Sequence, residues 1–179
     1  IGKHNLANAL AATAISLAAG FKIETIKDGI SQVHGIPHRL EFVRRVGGIS
    51  WINDSIATAP ERTMAALQSI PGPLVLLLGG RDKNLPWDNL AKTIHSRNLK
   101  VIVFGEAAAL IENNLRKFDT YSSTLLIWKA LKFEDALNIA KKIAKPRDSV
   151  LLSPGCTSYD EFKDFEERGN LYRDWVNKL

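Results

Sequence analysis

The feature that most constrains this chain is a regular alternation, from residue 74 onward, of short apolar runs with longer amphipathic stretches. Residues 74–78, 101–104 and 150–152 are apolar runs too short for helices and read as buried strands, with 125–128 a weaker one. Between them, 87–97, 106–116, 133–144 and 160–176 read as helices. In 133–144 the residues Ala136, Ile139, Ala140 and Ile143 share one face. Strands separated by helices of this length predict a mostly parallel sheet with right-handed crossovers and helices on both faces, a Rossmann-like α/β fold.

Two segments precede that alternation. Residues 40–46 and 49–53 flank Gly47-Gly48 and predict a β-hairpin with a two-residue turn at the start of the sheet. Residues 1–34 predict two helices. The first, 4–19, is Ala-rich and stops at Gly20; the second carries Ile23, Ile26, Ile30 and Val33 at helical spacing. Two helices bury little by themselves, so this segment reads as the tail of a preceding domain, with a boundary at Gly35-Ile36-Pro37. The expected division is 1–35 and 36–179. The chain begins at Ile1 rather than Met, which reads as a piece of a longer protein.

Composition narrows the function classes. The formal charge is +5, but Lys and Arg are spread along the 179 residues, which argues against a nucleic-acid stripe and suits small anionic ligands. No apolar run is long enough to span a bilayer, and the start lacks the pattern of a signal peptide. The one cysteine, Cys156, excludes an internal disulfide and fits a reducing cytosol. Without a His or an acid beside it in sequence, Cys156 reads as a buried thiol rather than a nucleophile. His4, His34, His38 and His95 lack metal-ligand spacing. There is no G-x-x-x-x-G-K-[ST] phosphate loop and no G-x-G-x-x-G fingerprint.

In open parallel sheets ligands bind beyond the carboxyl ends of the strands. Three loops are due there: Asp54-Ser55-Ile56-Ala57-Thr58, Gly79-Gly80-Arg81-Asp82-Lys83 and Ser153-Pro154-Gly155-Cys156-Thr157-Ser158. Taken singly, each residue has an ordinary use. Asp54 suits the cap of a helix starting near Pro60, Lys83 a solvated charge, and Ser158 the cap of a helix starting at Asp160. Together the loops predict one binding rim of small, polar and cationic groups.

At this point the residues resemble a known family, the Mur ligases. His4-Asn5-Leu6-Ala7-Asn8-Ala9 resembles their H-N-x-x-N-A segment, and His34 to Glu41 is similar to G-x-x-H-R-x-E. Asn53-Asp54-Ser55-Ile56-Ala57-Thr58 resembles N-D-S-K-A-T, and residues 76–83 the glycine-rich loop that follows it. Residues 152–169 resemble L-S-P-A-x-A-S-x-D-x-F-x-x-F-x-x-R-G, the signature of the D-glutamate-adding branch.

The resemblance implies that residues 1–35 end a central ATP-binding domain and that 36–179 form the C-terminal, amino-acid-presenting domain. It implies an ATP-dependent ligase of peptidoglycan precursor synthesis, cytoplasmic and monomeric. Its substrates would be ATP, D-glutamate and UDP-N-acetylmuramoyl-L-alanine, joined through an acyl phosphate. Asn5, Asn8, His38, Arg39 and Asp54 would contact ATP. Thr58, Lys83, Ser158, Tyr159 and Phe165 would hold D-glutamate. Mg2+ would accompany ATP with its ligands outside this chain, and no residue would act as a nucleophile. One departure stands out: the family's lysine in N-D-S-K-A-T is Ile56 here. Two alternatives remain at this level, a related ligase that adds another amino acid, such as a folylpolyglutamate synthase relative, and a non-catalytic Rossmann-like binding module.

Overall fold

The computed structural model describes residues 3–32, 35–120 and 125–179, with side chains from residue 6 onward. It divides into two compact units, Ile1–Ile36 and Pro37–Leu179.

The first unit holds α1 (Lys3–Ala18) and α2 (Ile23–Ser31). The end of α1 is closed by two reverse hydrogen bonds, from Phe21 N–H to the Ser16 carbonyl and from Gly20 N–H to the Leu17 carbonyl. Ile26 is buried in α2, while Leu6, Leu10, Ile15 and Leu17 of α1 are exposed. Of the expected apolar stripe, Val33 lies outside the described residues, as does His34.

The second unit begins with β1 (Glu41–Val46) and β2 (Ile49–Asn53), which pair antiparallel. Gly47 and Gly48 both have positive φ, 57° and 79°, as a two-residue hairpin turn matched to the strand twist requires. Then follow α3 (Pro60–Ser69), β3 (Leu74–Gly79), α4 (Asp88–Ser96), β4 (Lys100–Phe104), α5 (Ala108–Arg116), β5 (Ile127–Lys129), α6 (Phe133–Ile143), β6 (Ser149–Gly155) and α7 (Phe165–Asn177). Among the described residues the sheet has six strands in the order β1-β2-β6-β3-β4-β5, and each pairing of these strands except β1 with β2 is parallel.

Strand alternation divides the core into two layers. Leu76, Leu78, Val101, Val103 and Leu151 face α3, α4 and α5 through Leu67, Leu90, Ile94 and Ile111. Val75, Leu77, Ile102, Val150 and Leu152 face α6 and α7 through Phe133, Leu137, Tyr172 and Val176. Helices therefore cover both faces, as expected, and every residue of the central strand β3 is buried.

The last helix starts later than the sequence reading has it. Residues 159–164 form turns, and α7 begins at Phe165, with the Asp164 carboxylate accepting from Glu167 N–H at 2.8 Å. Ser158 is therefore not the cap of this helix. Its carbonyl instead closes a local turn, accepting from the N–H groups of Glu161 and Phe162. Asp54 likewise does not cap α3, whose N-cap is Ala59 with Pro60 in the first turn.

Candidate active site at the sheet rim

The strand order puts β6 between β2 and β3, so the three polar loops leave neighbouring strands at the same edge. Backbone bonds fasten them together. Gly155 N–H donates to the Ala57 carbonyl at 2.8 Å, and Arg81 and Thr157 exchange two bonds at 2.9 and 3.0 Å. The crevice beyond the carboxyl ends of β2, β6 and β3 is where a sheet of this type carries its ligand.

On this rim Lys83 Nζ donates to Thr58 Oγ1 at 3.2 Å. Lys83 is exposed and makes no ion pair among the described residues, so a hydroxyl and an ammonium are presented together and free to receive an anion. Beside Lys83, Asp82 is turned inward and accepts from Trp87 Nε1 at 3.2 Å. Arg81 pairs with Glu106 at 2.9 Å. Ser158 is buried and Tyr159 is 61% exposed, both on the loop paired with Arg81. Phe165 opens α7; its carbonyl accepts from Ser55 Oγ at 2.8 Å, and its ring stands edge-on to His38 with centroids 6.1 Å apart.

His38 and Asp54 lie deeper. Asn53 Nδ2 sits 3.0 Å from His38 Nδ1, 3.2 Å from Glu41 Oε2 and 3.1 Å from the Gly169 carbonyl. Glu41 is also held by Arg173 at 2.9 Å. Burial, and next the Arg173 charge, hold the His38 imidazole below its ordinary pKa, so it is neutral near pH 7 and its Nδ1 can accept from Asn53. Asp54 is 4% exposed. Its oxygens accept from Leu40 N–H at 3.1 Å and Ser153 Oγ at 2.8 Å. Burial pushes its carboxyl up to about 6, against the opposing pull of those bonds and of Arg39 and Arg62.

The second unit thus gathers Thr58, Lys83, Ser158, Tyr159, Phe165, His38, Arg39 and Asp54 around one edge of the sheet. Asn8 is exposed on α1 in the first unit. The side chain of Asn5 lies outside the described residues. Cys156 is fully buried, and that burial pushes its thiol up to about 12, which makes it inert as a nucleophile near neutral pH.

Arg168 stands in the R-G that closes the signature at 152–169, but no role was read for it from the sequence. It is fully buried, yet among the described residues its guanidinium meets no carboxylate within hydrogen-bond reach; it donates to Ser55 Oγ and to the carbonyls of Ser55, Cys156 and Thr157. The signal was its place on the buried stripe Arg168, Tyr172, Val176, four residues apart.

Comparison with known proteins shows the family. Residues 38–156 match the family described as Mur ligase, glutamate ligase domain. The chain is 38% identical over 178 residues to the UDP-N-acetylmuramoylalanine–D-glutamate ligase of Symbiobacterium thermophilum, covering 99% of this chain and 38% of that protein. It is 40% identical over 179 residues to the enzyme of that name from Chlorobium phaeobacteroides, covering 99% and 37%. It therefore spans a little over a third of the length of these relatives.

Among solved structures, a pseudomurein peptide ligase type C from Methanothermus fervidus superposes with a TM-score of 0.71 at 20% identity, over 99% of this chain and 36% of the other. Folylpolyglutamate synthase of Mycobacterium tuberculosis, complexed with ADP and AMPPCP, superposes with a TM-score of 0.68 at 15% identity, over 96% and 40%. At such identities these two speak for the fold alone. Among the described residues no helix is long and apolar enough to cross a membrane. By the family match over residues 38–156 and the relatives that align with nearly all of it, this chain belongs to the Mur ligase, glutamate ligase domain family.

Proposed function

We propose that this chain is the amino-acid-presenting part of a cytoplasmic, monomeric, ATP-dependent ligase that joins D-glutamate to UDP-N-acetylmuramoyl-L-alanine in peptidoglycan precursor synthesis. The observation that carries the reading is the exposed pair Lys83 Nζ and Thr58 Oγ1, 3.2 Å apart, on loops that are bonded to the one bearing Ser158 and Tyr159. A dicarboxylate needs two anion-binding points at a fixed separation. Lys83 with Thr58 supplies one, and Ser158 with the backbone near Tyr159 supplies the other. Phe165 packs on the short aliphatic chain. Relatives at 36–40% identity named for D-glutamate support this choice of amino acid.

ATP, with Mg2+, supplies the phosphoryl group that converts the alanine carboxylate into an acyl phosphate open to attack by the D-glutamate amine. The residues here suit contacts at the edge of such a nucleotide. Arg39 is an exposed cation beside the buried, neutral His38, and Asp54 keeps lone pairs beyond those used by Leu40 and Ser153. Asn5 and Asn8 would complete the adenine side, with residues 1–35 ending the central domain. No residue of this chain is assigned to Mg2+. The work of this part is orientation and charge neutralisation, and no nucleophile is required of it.

The test is phosphate release by a polypeptide joining this chain to the nucleotide- and UDP-binding part, with a panel of amino acids. Release with D-glutamate alone is the expected result. Release with L-glutamate or another amino acid, and none with D-glutamate, would replace this reading with a related ligase. The chain alone is expected to bind D-glutamate weakly and to ligate nothing.

A further inference from the structure

The loop that bears Ser158 and Tyr159 lies between β6 and α7, and two adjacent carboxylates fasten it to helices that come earlier in the chain. Asp160 Oδ2 accepts from Glu106 N–H at 3.2 Å, next to Ala107, the N-cap of α5, which has no capping side chain. Both oxygens of Glu161 accept from Phe133 N–H, at 3.0 and 3.3 Å, in the first turn of α6. The residue at the N-cap of α6 is Lys132, which offers no side-chain oxygen. Neither N-cap side chain can accept from its helix, although Asp135 Oδ2 meets Lys132 N–H at 3.4 Å. Glu161 thus takes an N–H of the first turn of α6, and Asp160 the N–H just before the α5 cap, at two helix starts whose dipoles favour an anion.

Gly105 is shaped to this arrangement. Its φ is +69°, and a Cβ there would collide with Asp160 Oδ2. The approach of Asp160 to α5 therefore needs glycine on two counts, backbone conformation and space.

We propose that Asp160 and Glu161 are positioning residues. They fix Ser158 and Tyr159 for the incoming amino acid by anchoring their loop to the amino ends of α5 and α6, without touching the substrate themselves. This rests on the reading of that loop as part of the D-glutamate site.

The test uses Asp160→Ala, Glu161→Ala, Gly105→Ala and the conservative Asp160→Asn and Glu161→Gln in this chain. D-glutamate binding is followed by NMR titration, and amide hydrogen exchange is compared at Ser158 and Tyr159 against Leu76 in the core. Each alanine variant is expected to weaken D-glutamate binding about tenfold, the size of one lost charge-assisted hydrogen bond. It should also speed exchange at 158–159 while Leu76 keeps its protection. Asp160→Asn and Glu161→Gln keep an acceptor oxygen and should recover most of the loss; they also serve as the folded comparison if an alanine variant does not fold. Variants that bind D-glutamate like the parent chain would overturn the proposal, and so would equal changes in exchange at 158–159 and Leu76. If the unaltered chain binds no D-glutamate at all, the reading of the site fails, and exchange at 158–159 still reports whether the fastening exists.

Discussion

The Arg168 guanidinium is joined to Ser55 twice, its Nε to Oγ at 3.0 Å and a terminal nitrogen to the carbonyl oxygen at 3.0 Å. The same group reaches the carbonyls of Cys156 and Thr157 at 3.3 Å. One side chain on α7 thus ties the loop after β2 to the loop after β6. Burial lowers its pKa to about 10, against the opposing pull of the Asp160 charge, so it stays charged at neutral pH, hydrogen-bonded to backbone oxygens and Ser55 Oγ.

Removing that group leaves buried acceptors unmet. Arg168→Met should destabilise the chain by about 3 kcal/mol, since each orphaned buried polar group costs roughly 1–3 kcal/mol. Arg168→Lys should recover only part, because a single ammonium cannot span four acceptors in a plane. Urea unfolding followed by circular dichroism measures both. A loss below about 1 kcal/mol for Arg168→Met would mean that water or neighbouring groups satisfy those carbonyls.

Why some of this was legible and some was not follows from what each signal depends on. The strands at residues 74–78 and 101–104 and the helix at 133–144 were readable because burial on a regular lattice imposes a period on the sequence. The Gly47-Gly48 turn was readable because few residues accept positive φ. The position of β6 between β2 and β3 was not, since strand order depends on pairings between distant segments. The start of α7 was misread because Asp160 and Asp164 both suit a helix start, and the contest is decided by Asp160 reaching Glu106 across the fold. Of the site, the loops were legible from their residue types. The inward turn of Asp54 toward Ser153 was not, because both residue types also serve at the surface.

Asp54 gives the chain a pH dependence of defined sign. Its folded-state pKa lies near 6, above the 3.8 of an unburied carboxyl, so the folded state prefers the protonated form. Its contribution to stability is fully present below 3.8 and is lost as pH rises through about 6, by roughly 3 kcal/mol. Asp54→Asn keeps an oxygen for Leu40 N–H and offers an N–H to Ser153 Oγ. The variant should therefore lack this part of the slope and gain stability relative to the parent chain above pH 6. Urea unfolding of both proteins at about pH 4.5, inside that window, and at about pH 7.5, above it, captures most of the difference. Parallel curves for the two proteins would contradict the assignment.

Lys83 separates binding from folding. It is exposed, and among the described residues its one side-chain hydrogen bond is to Thr58 Oγ1 on the surface. Lys83→Met should therefore change stability by less than about 0.5 kcal/mol. Its loss of the ammonium should weaken D-glutamate binding by about tenfold or more, with a smaller effect from Thr58→Val. Calorimetric titration of the chain, with thermal unfolding alongside, distinguishes the two. Unchanged binding with unchanged stability would remove Lys83 from the site.

Ile56 offers the converse experiment, adding a charge where this chain has none. Its backbone N–H donates to the His38 carbonyl at 3.2 Å, which fixes the residue on the rim while its side chain stays partly exposed. A lysine there can run its stem along the same apolar surface and keep its ammonium in water, so Ile56→Lys should fold with stability within about 1 kcal/mol of the parent. The new cation would stand two residues before Thr58, close to the anion-receiving pair of Thr58 and Lys83. Binding of D-glutamate or inorganic phosphate should tighten by about threefold at low ionic strength, and the gain should shrink as salt rises, because the site opens to solvent. Titrations of both proteins at low and high ionic strength check this. A gain that is independent of salt would place the lysine in a buried contact, and no gain would show that the ammonium turns away from the rim.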